Sequence, residues 1–353
     1  MHWRRFRSFF PVTEDLVYLD HAGGGALSSR AQERLARFAH DATTLGAFEG
    51  QAVWQAERDR VRERAAALLG VRPAEIVFPT HARQGFAALL EALDWRPGDV
   101  LVLRDTAPQD VPGRAALVRR GVEVRTIAGP DRGAAGRPVS ERAIVDAIAS
   151  PSVRMLATRS VDLGTGERVD LDRLGALCRE RAVMLAVDAS ASLGCLPLRP
   201  TQSGIDFVAA DGHRWLGSLR GCGILYCAAA LRDAFRLEDA VEADSPGVVA
   251  LGGAVDLLLE AGIDAIAARV LALRGALAHG LRRRGCTVLG PEDGNPSGAV
   301  LFRPPRETAE ALHERLHLAR IHVGRAGASL RASPHFYNTE AEIERLLEAV
   351  SCS

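Results

Sequence analysis

Short apolar runs and stretches of helical period alternate along the first two thirds of the chain, punctuated by Gly and Pro. Val183 to Val187, Asp206 to Ala209 and Gly223 to Cys227 read as strands. Val100 to Leu103, then a helical stretch from Gly113 to Arg120, then Val122 to Ile127 make a β-α-β unit. Helix 140–149, strand 154–158 and helix 171–181 continue the alternation. Upstream, helices are expected over 31–40 and 53–69, with a short strand at Ile76 to Phe78 and a helix opening within Thr80 to Gly85. Beyond Cys227 the period changes to one long helical run, broadly Gly252 to Gly285, followed by short strands and helices. The pattern predicts an α/β fold with a mostly parallel central sheet. A large domain with an N-terminal arm spans residues 1–250, and a linking helix with a small α+β domain spans 251–353.

Ligands of open parallel sheets sit outside the carboxyl ends of the strands. Asp188 ends one predicted strand, and Asp211-Gly212-His213-Arg214-Trp215 follows the next, so both should face one crevice. This stretch resembles the class V aminotransferase and cysteine desulfurase family of pyridoxal phosphate (PLP) enzymes, whose pattern here is Asp-x-x-Gln followed by Ser-Gly-His-Lys-Trp. Asp188, Gly212, His213 and Trp215 match it, while Arg214 stands at the lysine. The resemblance implies a fold type I PLP-dependent transferase-like architecture. In the family the lysine carries PLP as a Schiff base, which needs a neutral amine. An arginine with a pKa above ~12 cannot supply one near pH 7.

The resemblance extends along nearly the whole chain. Leu16 to Ser28 is similar to the family's Y-L-D-N/H-A-x-x-G-P-L motif, which implies a substrate-side role for His21; a glycine turn capping a helix explains the glycines equally well. At Thr80 to Gly85 the family holds the cofactor phosphate at a helix amino terminus. His81 and Arg83 occupy that junction here, so it reads either as an anion site remade with a guanidinium or as a surface arginine in a first helical turn. The segment Arg159 to Gly166 maps the family's ring- or substrate-contacting polar residue to Asp162, which also suits a turn. Ser245 keeps the hydroxyl of a motif that reaches a neighbour's phosphate across the family's dimer interface, and Asp244 replaces its glycine. Arg331 to Thr339 is similar to R-I-S-P-H-F-Y-N-T, whose arginine clamps a substrate carboxylate, a role suited to a planar fork. The loop before it lacks the mobile cysteine of a desulfurase.

Composition sharpens these departures. All 44 basic residues are arginines, so no side chain offers an ε-amine. Formal net charge is zero and the arginines are interspersed with acids, so no basic face announces nucleic acid. The six cysteines show neither C-x-x-C pairs nor zinc spacing with histidine, which predicts no metal site and reduced, buried thiols. No apolar run is long enough for a membrane span or a signal-peptide core, and the expected location is the cytoplasm.

Against the family pattern the stacking group is missing at Ala107, the ring-oxygen contact at Ala191, and two hydroxyl contacts to phosphate at Arg83 and Asp211. A carboxylate ~4 Å from one phosphate charge at an effective dielectric of ~20 costs about 4 kcal/mol, roughly three decades in affinity. The reading that follows is a repurposed enzyme or binder with no covalently bound cofactor. Arg214, Arg83 and Arg331 would hold a small anionic metabolite, and Asp188 and His213 would serve as acid and base. One alternative is residual aminotransferase chemistry with noncovalent PLP or pyridoxamine phosphate (PMP). Another is a non-catalytic subunit beside an active homologue. The resemblance implies a homodimer.

Overall fold

Strands buried on both faces are apolar at most positions, with alternate residues facing opposite layers. The computed structural model describes residues 3–104, 111–127, 139–162, 164–235, 237–240, 245–290 and 294–351. After β1 (Val17–Tyr18) come seven strands that form one sheet: β2 (Ile76–Val77), β3 (Val100–Arg104), β4 (Glu123–Ile127), β5 (Val153–Arg159), β6 (Met184–Asp188), β7 (Phe207–Asp211) and β8 (Gly223–Cys227). Their order is β2-β8-β7-β6-β5-β3-β4. β3 to β7 run parallel, and β8 is antiparallel to both β7 and β2. In β3, Val100 and Val102 enter the core on one face while Leu101 and Leu103 enter the core on the other. The mostly parallel α/β sheet expected from the sequence is therefore present.

Helix Ala82–Ala92 lies on the second face, where Leu89 and Leu90 join Leu101, Leu103, Met155 and Phe207. Its first turn faces the end of β7. That placement brings a helix amino terminus to the carboxyl edge of the sheet.

The long run expected over 252–285 is two helices, Pro246–Ala261 and Ile263–Arg283. Gly262 separates them at φ 80°, a left-handed backbone that helical periodicity does not report. The second helix crosses between cores. Ile266 and Val270 pack with the large sheet, whereas Leu273, Leu277 and Leu281 share a second core with β9 (Thr287–Val288), β10 (Val300–Arg303), β11 (Ile321–His322) and, beyond β12 (Gly324–Ala326), β13 (Ser329–Ala332). Val17 and Leu19 also belong to this second core, and β1 pairs in parallel with β11. Elsewhere in the N-terminal arm, Phe6, Phe10 and Ala22 belong to the core of the large sheet, so the arm touches both cores. No helix among the described residues is long and apolar enough to cross a membrane.

Candidate functional site

Three parallel neighbours end on charged residues: Arg159 closes β5, Asp188 closes β6 and Asp211 closes β7. The register sets Arg159 beside Asp188. These residues border a cleft of about 600 Å³ whose described lining also includes His81, Arg83, His213, Arg214 and Arg220. Phe86, Leu90, Leu101, Leu103 and Val111 supply an apolar wall.

The helix amino terminus is already occupied by this chain's own acceptors. Asp211 Oδ1 accepts the Ala82 N–H at 2.9 Å, and His81 Nδ1 accepts the Gln84 N–H at 3.0 Å. These bonds satisfy two of the free donors at the start of a helix. Asp211 Oδ2 accepts from Arg214 Nε at 3.1 Å, while Arg214 donates through another nitrogen to the Ala22 carbonyl at 2.9 Å. Arg214 is thereby held against the N-terminal glycine turn instead of reaching freely into the cleft. Gly25 keeps that turn close: its N–H donates to the His213 carbonyl at 2.7 Å, and a Cβ on Gly25 would sit 2.2 Å from the Arg214 oxygen.

Asp188 is positioned by the Ser190 N–H, which donates to its Oδ1 at 2.9 Å, and Ser190 Oγ accepts the Asp211 N–H at 3.0 Å. The ends of β6 and β7 are thus tied through one serine. Burial pushes the His213 imidazole below its ordinary pKa, Asp211 draws it back up, and Arg220 and Arg214 lower it again. The net direction favours a neutral ring, one able to accept a proton.

Asp188, His213, Arg214, His81, Arg83 and Asp211 are therefore brought together, and the other four sequence candidates are not among the residues lining this cleft. His21 is buried, its Nδ1 2.8 Å from the Ser333 carbonyl and its Nε2 2.5 Å from Tyr337 Oη. Arg331 donates to Asp20 Oδ1 at 2.9 Å, so an internal carboxylate occupies part of its fork. Burial raises the Asp20 carboxyl and Arg331 pulls it down. Asp162 Oδ1 collects the Gly164 and Thr165 N–H groups at 2.9 and 2.8 Å, the geometry of a turn residue. Ser245 precedes helix Pro246–Ala261 and accepts the Val248 N–H with its carbonyl. Ala107 and Asp244 lie outside the described residues.

Sequence reasoning missed Arg159 and Arg220. The strand-end rule that selected Asp188 applies equally to Arg159, the last residue of β5. Arg220 stands in the turn before β8 and carries no comparable signal. Among the described residues no cluster of His, Cys, Asp and Glu is arranged to hold a metal ion.

Comparison with known proteins places this geometry in a family. Isopenicillin N epimerase of Streptomyces clavuligerus is 28% identical over 99% of this chain and 97% of its own. A probable cysteine desulfurase of Methanothermobacter thermautotrophicus is 25% identical over 98% and 96%. Among solved structures, a lysine-to-alanine variant of C-DES with glycine covalently linked to its PLP cofactor superposes with a TM-score of 0.88 at 22% identity, covering 98% of each chain. The apo cysteine desulfurase of Thermococcus onnurineus NA1 gives 0.85 at 18% identity, covering 98% of this chain and 96% of its own. Both structures share the α/β fold built on a mostly parallel sheet. The family model for aminotransferase class-V matches residues 17–239, and the chain belongs to that family.

Proposed function

We propose that this class V aminotransferase-like protein binds or transforms a small carboxylate or other anionic metabolite without covalently held PLP. The observation that carries the reading is the Asp211 carboxylate, which takes the Ala82 N–H at the helix start and the Arg214 guanidinium at the family's lysine position.

The residues present do not fit PLP. No side chain can form a Schiff base, since the sequence has no lysine. A phosphate at the start of helix Ala82–Ala92 would compete with Asp211 for the Ala82 amide and with His81 for the Gln84 amide. It would also meet the Asp211 charge at short range in a partly buried site. A different anion is better served by the remaining groups. The described lining of the cleft carries Arg83, Arg159, Arg214 and Arg220 against Asp188 and Asp211, an excess of positive charge.

Within that field His213 is the base of the site, with its proton affinity lowered by burial and by two neighbouring guanidiniums. Asp188, fixed by the Ser190 amide, is the second proton-handling group. Arg214 is a positioning residue that holds Asp211 and the Ala22 carbonyl together. The reading carries with it the homodimer implied by the sequence resemblance, which light scattering checks.

Thermal melting with PLP, inorganic phosphate and a panel of carboxylates tests the proposal. A ligand at 100 times its Kd raises stability by about 2.7 kcal/mol. The expected result is a saturable shift with a carboxylate and none with PLP. A saturable PLP shift that Asp188→Asn abolishes would overturn it.

A further inference from the structure

We infer that the ligand of this cleft is an amphipathic acid, with an ionised head met by Arg83 and Arg220 and an apolar body lying between helix Ala82–Ala92 and β3. The inference rests on the proposed anion-binding function and narrows its ligand class. It starts from the two arginines. Arg214 is engaged by Asp211, whereas neither Arg83 nor Arg220 forms an ion pair or side-chain hydrogen bond among the described residues. Both are exposed on the same rim. The Gly223 N–H donates to the Pro79 carbonyl at 2.7 Å, and the Ala82 N–H to Asp211, which is paired with Gly223 across β7 and β8. These bonds bring the turn bearing Arg220 alongside the helical turn bearing Arg83.

Below this rim the cleft changes character. Phe86 and Leu90 come from the helix, Leu101 and Leu103 from β3, and Val111 from the segment after it. These positions fall in the cleft because one face of helix Ala82–Ala92 and alternate residues of β3 turn toward each other. A cavity of about 600 Å³ is the size of a site for a small organic molecule, not for a bare inorganic anion. An acetate-sized ligand would satisfy the arginines and leave the half-buried Phe86 and the cleft space beside the apolar wall unfilled. A neutral hydrocarbon would cover the wall and leave the arginines unanswered. Only a ligand with both parts uses both surfaces, and the separation of rim from wall sets its polarity along one axis.

The experiment is a chain-length series of acetate, butyrate, hexanoate and octanoate, titrated calorimetrically into the full chain, with 1-octanol as the neutral comparator. Affinity should rise about fourfold for each methylene added between butyrate and octanoate, the factor expected for burying one CH₂. Arg83→Ala combined with Arg220→Ala should weaken octanoate about tenfold or more and bring it down to the affinity of octanol, as loss of charge-assisted bonds predicts. Both positions are exposed, and circular dichroism checks that the variant is folded. Phe86→Ala should weaken octanoate while leaving acetate unchanged.

Equal affinity for acetate and octanoate, or octanol binding as tightly as octanoate, would overturn the inference. So would a double arginine variant that still binds octanoate normally. Inorganic phosphate and acetate binding as tightly as octanoate would defeat the amphipathic class and leave the anion-binding function standing. Failure of every anion in the series would defeat both.

Discussion

Arg214 and Asp211 form an ion pair at 3.1 Å three residues apart, and the carboxylate's other oxygen accepts the Ala82 amide. One side chain thus provides the negative charge that the helix terminus favours, and its neighbour balances that charge. The same two positions that would have to receive a phosphate and supply an amine instead satisfy each other. The Asp211 charge is thus balanced within the chain, by Arg214 and the Ala82 amide.

This pairing makes a stability prediction. Asp211→Ala removes a helix cap and an ion-pair partner at once, and should cost about 1–2 kcal/mol in urea unfolding. Arg214→Ala should cost less, because that side chain is the more exposed of the two. The double variant should be more stable than the sum of the single losses by about 1 kcal/mol, since groups in contact couple. Strict additivity would mean that the pair contributes nothing.

Acid should destabilise the protein through His21. Burial pushes this imidazole from 6.5 down to about 4, so the unfolded chain takes up a proton near pH 6.5 that the folded chain refuses until about pH 4. The stability it confers is complete above pH 6.5 and is lost as pH falls toward 4. A shift of that size is worth about 3 kcal/mol. His335, buried against His21, is displaced in the same direction and steepens the loss. Urea midpoints measured between pH 7 and 4.5 should fall, and His21→Asn should flatten the slope without abolishing it. A wild-type midpoint independent of pH across that range would contradict this assignment.

How far the sequence could be read depended on how local the determining signal was. The apolar runs at 100–103 and 183–187 announced a parallel sheet because each is short, punctuated and buried on both faces, and Asp188 followed from its place at a strand end. Arg83 was visible as a residue in a first helical turn. That His21 and Arg331 are not among the residues lining this cleft was not legible, because their partners are remote: His21 meets Ser333 and Tyr337, and Arg331 meets Asp20, across more than 300 positions of sequence. Asp211 shows the same limit from the other side. Its charge could be weighed against a phosphate from sequence, but its bonds to Ala82 and Arg214 depend on how β7 meets helix Ala82–Ala92.

The glycine turn offers a matched pair of substitutions. A Cβ on Gly25 would lie 2.2 Å from the Arg214 carbonyl oxygen, whereas one on Gly24 would approach nothing closer than 4.0 Å. Gly25→Ala should therefore destabilise by about 1–3 kcal/mol, as overpacking against backbone does, and displace the turn bearing His213. Gly24→Ala should be within about 0.5 kcal/mol of wild type. Thermal unfolding of the two variants compares them directly. Equal effects would show that contact with the 211–217 turn does not fix the glycine.

Restoring the family's lysine separates a rebuilt pocket from one that lacks a single anchor. In Arg214→Lys the new ammonium would inherit Asp211 as a neighbour, and an adjacent carboxylate keeps an amine charged and therefore poorly nucleophilic. Asp211 would also still hold the Ala82 amide against any phosphate. The single variant should show no change in PLP absorbance and no lysine-linked pyridoxyl peptide after borohydride treatment. Adding Asp211→Ser removes both obstacles together, so its effect on PLP affinity should exceed the product of the two single effects. Absorbance titration and mass spectrometry across wild type, both single variants and the double variant make the comparison. If Arg214→Lys alone bound PLP tightly and fixed it on reduction, Asp211 would be no barrier to phosphate, and the cleft would have to be read as a PLP site missing only its amine.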